Sequence, residues 1–294
     1  MRIAIASGKG GTGKTTLATN LAFVASKEAR RVVYADCDVE EPNGHLFLRP
    51  EILETHPVTV PVPRVDELQC IRCGDCVDIC QFNALALAGK KILVFPELCH
   101  GCGGCVLVCP NFAIEEVPRE IGVVETGRAG DVLFVQGRLN VGEAMAPPAI
   151  RTVKAAIPPA DLVLFDAPPG TACPAMESVR GCDFVILVTE PTPFGLNDLK
   201  LAVAAVDALE LPHGVVINRA GAEEGEVEHW CACNDIPILA RIPDDRRVAV
   251  AYSRGQMAAE ALPEYFEHFS NLLTRILDEV ARLRACRTGR RVTA

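Results

Sequence analysis

The chain lacks three features that would place it outside the ordinary aqueous cell interior. No apolar run reaches the length a bilayer-spanning helix needs. No stretch of lysine and arginine forms a basic footprint, and the formal net charge is −9, which disfavours non-specific nucleic-acid binding. No leader is expected either, because Met1 runs directly into the strand-like stretch Arg2-Ile3-Ala4-Ile5-Ala6-Ser7. Together these absences point to the cytoplasm. Disorder is excluded as well: 49% of the 294 residues are hydrophobic, enough to bury a substantial core. In a reducing compartment the 14 cysteines are not expected to form a disulfide framework, so metal ligation is the leading explanation for them.

The most informative segment is Gly8-Lys9-Gly10-Gly11-Thr12-Gly13-Lys14-Thr15, followed by Thr16. It satisfies the phosphate-loop spacing of two glycines, a lysine and a threonine, between a short apolar strand and a helical stretch. In that setting successive backbone N–H groups of residues 8 to 16 curl around phosphate oxygens, with the positive helix end behind them. Lys14 is expected to reach the β- and γ-phosphates of ATP, and the Thr15 hydroxyl to hold Mg²⁺. Lys9 is a second lysine, directly after the first glycine.

Eight cysteines fall between residues 70 and 109 in two runs. Cys70, Cys73, Cys76 and Cys80 form the first; Cys99, Cys102, Cys105 and Cys109 form the second, followed by Pro110. The runs are offset by 29 residues, and Ala84-Leu85 follows Cys80 as Ala113-Ile114 follows Cys109. This internal repeat resembles that of bacterial-type ferredoxins. The resemblance implies two [4Fe–4S] clusters, with the last cysteine of each run crossing to the other cluster. Cluster one would take Cys70, Cys73, Cys76 and Cys109; cluster two would take Cys99, Cys102, Cys105 and Cys80. Structural zinc is the competing reading, but zinc ribbons use separated Cys-x-x-Cys pairs. Gln81 departs from the pattern by standing where the second run has proline.

The cysteine block reads as an insertion at about residues 64–117. The proline-rich stretch His56–Pro63, a candidate edge strand, precedes it. Residues 1–63 and 118–294 would then form one domain. Strands are expected at Arg31–Asp36, Val132–Gln136, Leu162–Asp166, Phe184–Thr189, Gly214–Asn218 and Ile236–Ile242, with helices at Leu196–Leu209 and from Pro263 to about Arg284. Alternating strands and helices predict an α/β fold of the P-loop NTPase type, a mostly parallel doubly wound sheet, carrying a small α+β insert. Ligands of such sheets sit at the carboxyl ends of the strands.

Two of those ends carry acids: Asp36 and Asp38 after the second strand, and Asp166 in Asp166-Ala167-Pro168-Pro169-Gly170. An acid there suits Mg²⁺ or the attacking water. Gly170 would let a backbone N–H follow the γ-phosphate. Lys9 with Lys14, the Asp36/Asp38 pair and Asp166 to Gly170 together resemble the deviant Walker ATPases of the MinD/ParA/Mrp group. Asp38–Asn43, Thr189–Gly195 and Ile242–Arg246 are similar to the branch with an inserted ferredoxin domain. The resemblance implies that Lys9 reaches across a dimer interface to the partner's nucleotide. It also implies that Asp38 positions the hydrolytic water, that Asp166 is the Walker B carboxylate and that Asn218 hydrogen-bonds adenine, with Arg219 beside it in the nucleotide-binding set. The expected activity is an ATP-gated homodimer serving iron–sulfur cluster handling or electron transfer through a protein partner. A positioning ATPase of the cell-division or partitioning type is the alternative.

Other signals are read as structural. Cys231-Ala232-Cys233 has one intervening residue where a carrier-type ligand pair has two. Cys37, Cys173 and Cys182 suit small apolar packing, and His45 is expected to be structural. The apolar stripe of the last helix, followed by Arg284, Arg287, Arg290 and Arg291, suits docking on the sheet rather than membrane contact.

Overall fold

The computed structural model describes residues 1–28, 30–221 and 225–290, with side chains as far as Leu283. The first strands in chain order are β1 (Arg2–Ala6), β2 (Val32–Asp36) and β3 (Glu51–Val65), followed by β4 (Leu85–Ala88), β5 (Lys91–Val94) and β6 (Ile114–Ala129). Then come β7 (Val132–Leu139), β8 (Leu162–Asp166), β9 (Phe184–Thr189), β10 (His213–Ala220) and β11 (Ile238–Pro243). Among the described residues, nine strands form one sheet in the order β11-β10-β9-β1-β8-β2-β7-β6-β3, and β4 and β5 form a separate hairpin. Every pairing from β11 to β7 is parallel; β6 alone runs against its neighbours β7 and β3.

The central strands read as continuous apolar runs because both faces are covered, and their side chains alternate between two cores. Ile3, Ile5, Leu162, Leu164, Phe184 and Ile186 pack under the helices Lys14–Lys27 and Pro263–Arg290. Ala4, Ala6, Val163, Phe165, Val185 and Leu187 pack under Ala146–Ala155 and Pro193–Asp207 on the other side. The last helix buries Phe269, Leu272, Leu273 and Ile276 in the first core. Each such side chain contributes about 1.5–3 kcal/mol, so the stripe holds the helix on the body of the protein. The side chains of Arg284, Arg287 and Arg290, and all of Arg291, lie outside the described residues. No described helix is long and apolar enough to cross a membrane.

The sequence expectation of a mostly parallel sheet holds for the centre. The ribbon β3–β6 was the less legible part. It extends the main sheet and continues without a break across residues 63–64 and 117–118, so the cysteine segment leaves and rejoins through strands of the main sheet. The prolines of β3 sit on the outer edge of that sheet, where a missing N–H costs no ladder bond.

Candidate nucleotide site and thiol cavities

The loop between β1 and the helix Lys14–Lys27 is shaped by close approaches. A Cβ at Gly8 would run into the Asp198 backbone, and one at Gly13, whose φ is 96°, would strike the Asn218 amide. Gly11 also takes a positive φ of 76°. The Ser7 hydroxyl donates to the Lys9 carbonyl at 2.5 Å, closing the start of the loop. One turn further along the helix, Asn20 donates to the Thr16 carbonyl at 2.6 Å and accepts from the Ala259 amide at 2.7 Å, tying the loop helix to the C-terminal region.

The sequence-derived candidates gather around this loop. Gly10, Gly11, Gly13, Lys14, Thr15, Thr16, Asp38, Pro169, Asn218 and Arg219 line one cavity of about 470 Å³. It runs on past Asp244 and Asp245 to Tyr252 and Tyr265. Lys14 is buried, and desolvation lowers its pKa, opposed by the charges of Asp166 and Asp38. Asp38 is pushed up to about 6 by burial and by Asp166, with Lys14 pulling the other way. Asp166 is fully enclosed. Burial raises its pKa, while the Thr15 and Tyr34 hydroxyls and Lys14 favour the carboxylate. Two buried oxygens here have no hydrogen-bond partner, Thr12 Oγ1 and Asp166 Oδ1. Orphaned polar atoms are rare inside proteins, and at the phosphate loop they fit an anionic ligand with a hydrated cation.

Four candidates are held in ways the sequence did not reveal. Lys9 Nζ forms an ion pair with Glu190 Oε2 at 3.1 Å within the same chain. Arg219, at a strained φ of 54°, pairs with the other oxygen of Glu190 at 2.6 Å. The Asn218 amide nitrogen donates to the Thr12 carbonyl at 2.8 Å, and the Gly170 N–H donates to the Ser7 carbonyl at 3.0 Å. The segment after Asp166 is thereby docked on the start of the phosphate loop. Glu190 sits inside the quoted Thr189–Gly195 motif, but nothing in sequence spacing marks it as the partner of two cations.

The cysteine segment carries its repeat into backbone geometry. The helical turns Asp75–Asp78 and Gly104–Leu107 are 29 residues apart. So are three pairs in the left-handed region: Arg72 and Gly101 at φ 62° and 63°, Gly74 and Gly103 at 93° and 71°, Asn83 and Phe112 at 54° and 52°. Strand pairing repeats too. Leu85 faces Val94 and Ala88 faces Lys91; shifted by the same offset, Ile114 faces Val65 and Val117 faces Val62. Arginine and phenylalanine resist positive φ, so the matched geometry marks a backbone bent twice in the same way.

The bends gather the thiols into two fours. Cys70, Cys73, Cys76 and Cys109 line one hollow; Cys80, Cys99, Cys102 and Cys105 line another, with Phe82 stacked on His100 at 3.8 Å between ring centroids. Backbone amides point at sulfur in corresponding places: Ala84 N–H to Cys80 at 3.3 Å, Ala113 N–H to Cys109 at 3.2 Å. Burial and the neighbouring thiols Cys99 and Cys102 push the Cys105 thiol up to about 11. Such a group gives up its proton when a metal centre takes the negative charge. Among the described residues no group of three or more Cys, His, Asp or Glu side chains could hold a metal ion. Each four is an all-thiol donor set, the ligand chemistry that iron–sulfur centres and zinc both use. Cys231 is wholly buried while Cys233 is exposed beside His229, so that pair does not converge.

A parallel sheet with a glycine loop after β1 and acids at the neighbouring strand tips defines a P-loop nucleotide-binding protein. The chain belongs to the CobQ/CobB/MinD/ParA nucleotide binding domain family, which matches residues 3–258. An uncharacterized protein of Methanocaldococcus jannaschii is 36% identical over 225 residues, spanning 75% of this chain and 79% of its own. An iron-sulfur cluster carrier protein of Methanococcus maripaludis is 22% identical over 295 residues, spanning 95% of this chain and 85% of its own. Among solved structures, the septum site-determining protein MinD from Pyrococcus horikoshii, complexed with Mg-ADP, shares the fold. Its TM-score is 0.58 at 21% identity, covering 94% of this chain and 95% of that one.

Proposed function

We propose that this chain is a Mg²⁺-dependent ATPase that works as an ATP-gated homodimer coupled to two [4Fe–4S] clusters, in iron–sulfur cluster handling or electron transfer. The observation that carries the reading is the coexistence of two fitted sites in one fold: a phosphate loop with orphaned Thr12 and Asp166 oxygens, and eight thiols in two fours. Similarity to an iron-sulfur cluster carrier protein over 95% of the chain supports the same direction.

Lys14 and the loop amides bind the triphosphate, and Thr15 and Asp166 would hold Mg²⁺, which would neutralise phosphate charge. Asp38 orients the attacking water from the edge of the cavity. Lys9 leaves Glu190 and enters the partner's site, supplying positive charge where it develops on the γ-phosphate. Hydrolysis is thereby tied to the meeting of two subunits. The cysteines would hold the clusters in the two fours described above, with the amides of Ala84 and Ala113 pointing at two of the sulfurs; the clusters would supply one-electron chemistry.

The hollow of Cys80 and Cys99 adjoins the main body. Both side chains pack on the core that contains Val60, Val62 and Val39, the residue after Asp38. The Val39 carbonyl accepts from Leu139 on β7 at 2.8 Å, and Asn140 donates to Ile121 on β6 at 2.9 Å. This contiguous packing supports a mechanical link between the water-positioning loop and the nearer cluster.

The positioning role in division or partitioning draws less support, since the apolar stripe of the last helix lies on the core as far as its side chains are described. Anaerobic reconstitution tests the reading. Eight iron atoms per chain and ATP hydrolysis abolished by Lys14→Ala are expected. Failure to take up iron ends the cluster reading, and normal hydrolysis in Lys14→Ala ends the nucleotide reading.

A further inference from the structure

One buried group at the nucleotide site has no part in the reaction as written, the phenol of Tyr34. It stands on β2, two residues before Asp36, with no solvent exposure. Its ring stacks on Phe134 at 5.7 Å between centroids. The hydroxyl donates to Asp166 Oδ2 at 2.9 Å and lies 3.4 Å from Asp36 Oδ2. Asp36, also fully buried, accepts from the Asp38 amide at 3.1 Å and from the Gly44 amide at 3.0 Å. The loop closes so tightly over this pair that a Cβ at Gly44 would strike the phenol oxygen. Phenylalanine would fill the same space without the penalty of burying a hydroxyl, so the position is explained by the bond the hydroxyl makes.

That bond has a consequence for Asp166. A carboxylate swings easily about its last torsion. With Oδ2 pinned by Tyr34, Oδ1 is the oxygen left buried without a partner. The same hydroxyl sits beside Asp36 Oδ2 at 3.4 Å, and Asp36 accepts from the amide of Asp38. One side chain thus ties the cation-side carboxylate to the loop that carries the water-positioning carboxylate. We propose that Tyr34 is a positioning residue for the nucleotide's divalent cation, fixing Asp166 so that Oδ1 faces the Mg²⁺ hydration shell, in register with the Asp38 loop. The inference rests on the Mg-ATPase reading. Tyr34 touches neither nucleotide nor cation and acts through Asp166.

The test is Tyr34→Phe in the full, iron-loaded chain, with ATP affinity measured in EDTA and again with Mg²⁺. The ring and its packing on Phe134 are retained, so the melting temperature is expected near that of the parent. ATP affinity in EDTA stays within about twofold, while the gain in affinity on adding Mg²⁺ falls about tenfold, the scale of one hydrogen bond to a charged group. In an Asp166→Asn background the same change moves the gain less than about twofold, because the group it acts through is gone. An unchanged Mg²⁺ gain in Tyr34→Phe overturns the proposal, and so does an equal loss with and without Mg²⁺, which marks general packing. Parent protein that binds no nucleotide under either condition overturns the ATPase reading and this proposal together; parent binding abolished by Lys14→Ala keeps the first standing while the second is judged. Should Tyr34→Phe not fold, ¹³Cζ-tyrosine spectra of the parent decide. The signal of Tyr34, one of three tyrosines, is expected to move when Mg²⁺ joins the ATP complex, and a stationary signal overturns the inference.

Discussion

The nucleotide half and the cysteine segment of this molecule are stabilised by different means. The first has two deep cores on either side of a parallel sheet, with Tyr34, Phe134, Phe165, Phe184 and Phe269 fully enclosed. The second has a core of its own made of Cys76, Leu85 and Ile114. It also leaves Leu68 at 97% exposure and Leu107 and Phe112 at 86% each. A segment of about 50 residues with so little buried surface rarely holds its shape without a covalent or metal staple. The nucleotide half therefore folds by burying side chains, and the proposed function has the cysteine segment fold by what its thiols would bind. Nucleotide binding and metal loading should fail separately.

The largest expected effect breaks the comparison at its weaker side. Removing iron with a chelator under reducing conditions should expose amides of residues 66–113 to rapid hydrogen exchange while β1, β8 and β9 remain protected. Equal protection with and without iron would place the segment's stability in its side chains. Next comes Lys14→Ala, expected to weaken ATP binding at least about a hundredfold while iron content stays full. Asp38→Ala follows, expected to keep ATP binding and lower turnover about 10²- to 10³-fold, read as single-turnover hydrolysis. The pH profile supplies a gentler test. Asp38 has its pKa raised to about 6 by burial and by Asp166, so it holds its proton below that pH and loses it above. Turnover should fall as pH drops through about 6 and recover above it, and this acid limb should vanish in Asp38→Asn. The smallest effect is at Glu190. Lys9 is about a third exposed in its ion pair, so screening keeps the pair weak. Glu190→Gln should strengthen ATP-dependent self-association only a few-fold, measured by light scattering.

What the sequence made legible follows from the same contrast. A central parallel strand is apolar throughout, so β8 and β9 were readable to the residue. The phosphate loop was readable because glycine spacing is local chemistry. The cysteine repeat was readable for the same reason, and the matched bends at Arg72 and Gly101 follow its offset. Relations across long sequence distance were not readable. The β3–β6 ribbon joins residue 51 to residue 128: the prolines of His56–Pro63 marked an edge strand, but not the distant strand it pairs with. Helix Pro193–Asp207 begins three residues before the expected Leu196, because Thr192 caps it by accepting from Gly195 at 3.0 Å. Tyr34 read as one more apolar strand residue, since its meeting with Asp166 spans 132 positions. Glu190 was hidden likewise: its partner Lys9 comes from the start of the chain, and Arg219 from 29 positions beyond it.

The central claim is that a triphosphate in the first loop governs how two copies of this chain meet. Sedimentation of the iron-loaded Asp38→Ala protein under anaerobic conditions tests it most directly. The account predicts twice the chain mass with Mg-ATP, the single-chain mass of 31.5 kDa with Mg-ADP, and the single-chain mass again with Mg-ATP when Lys9→Ala is added. The same mass in all three conditions would contradict it.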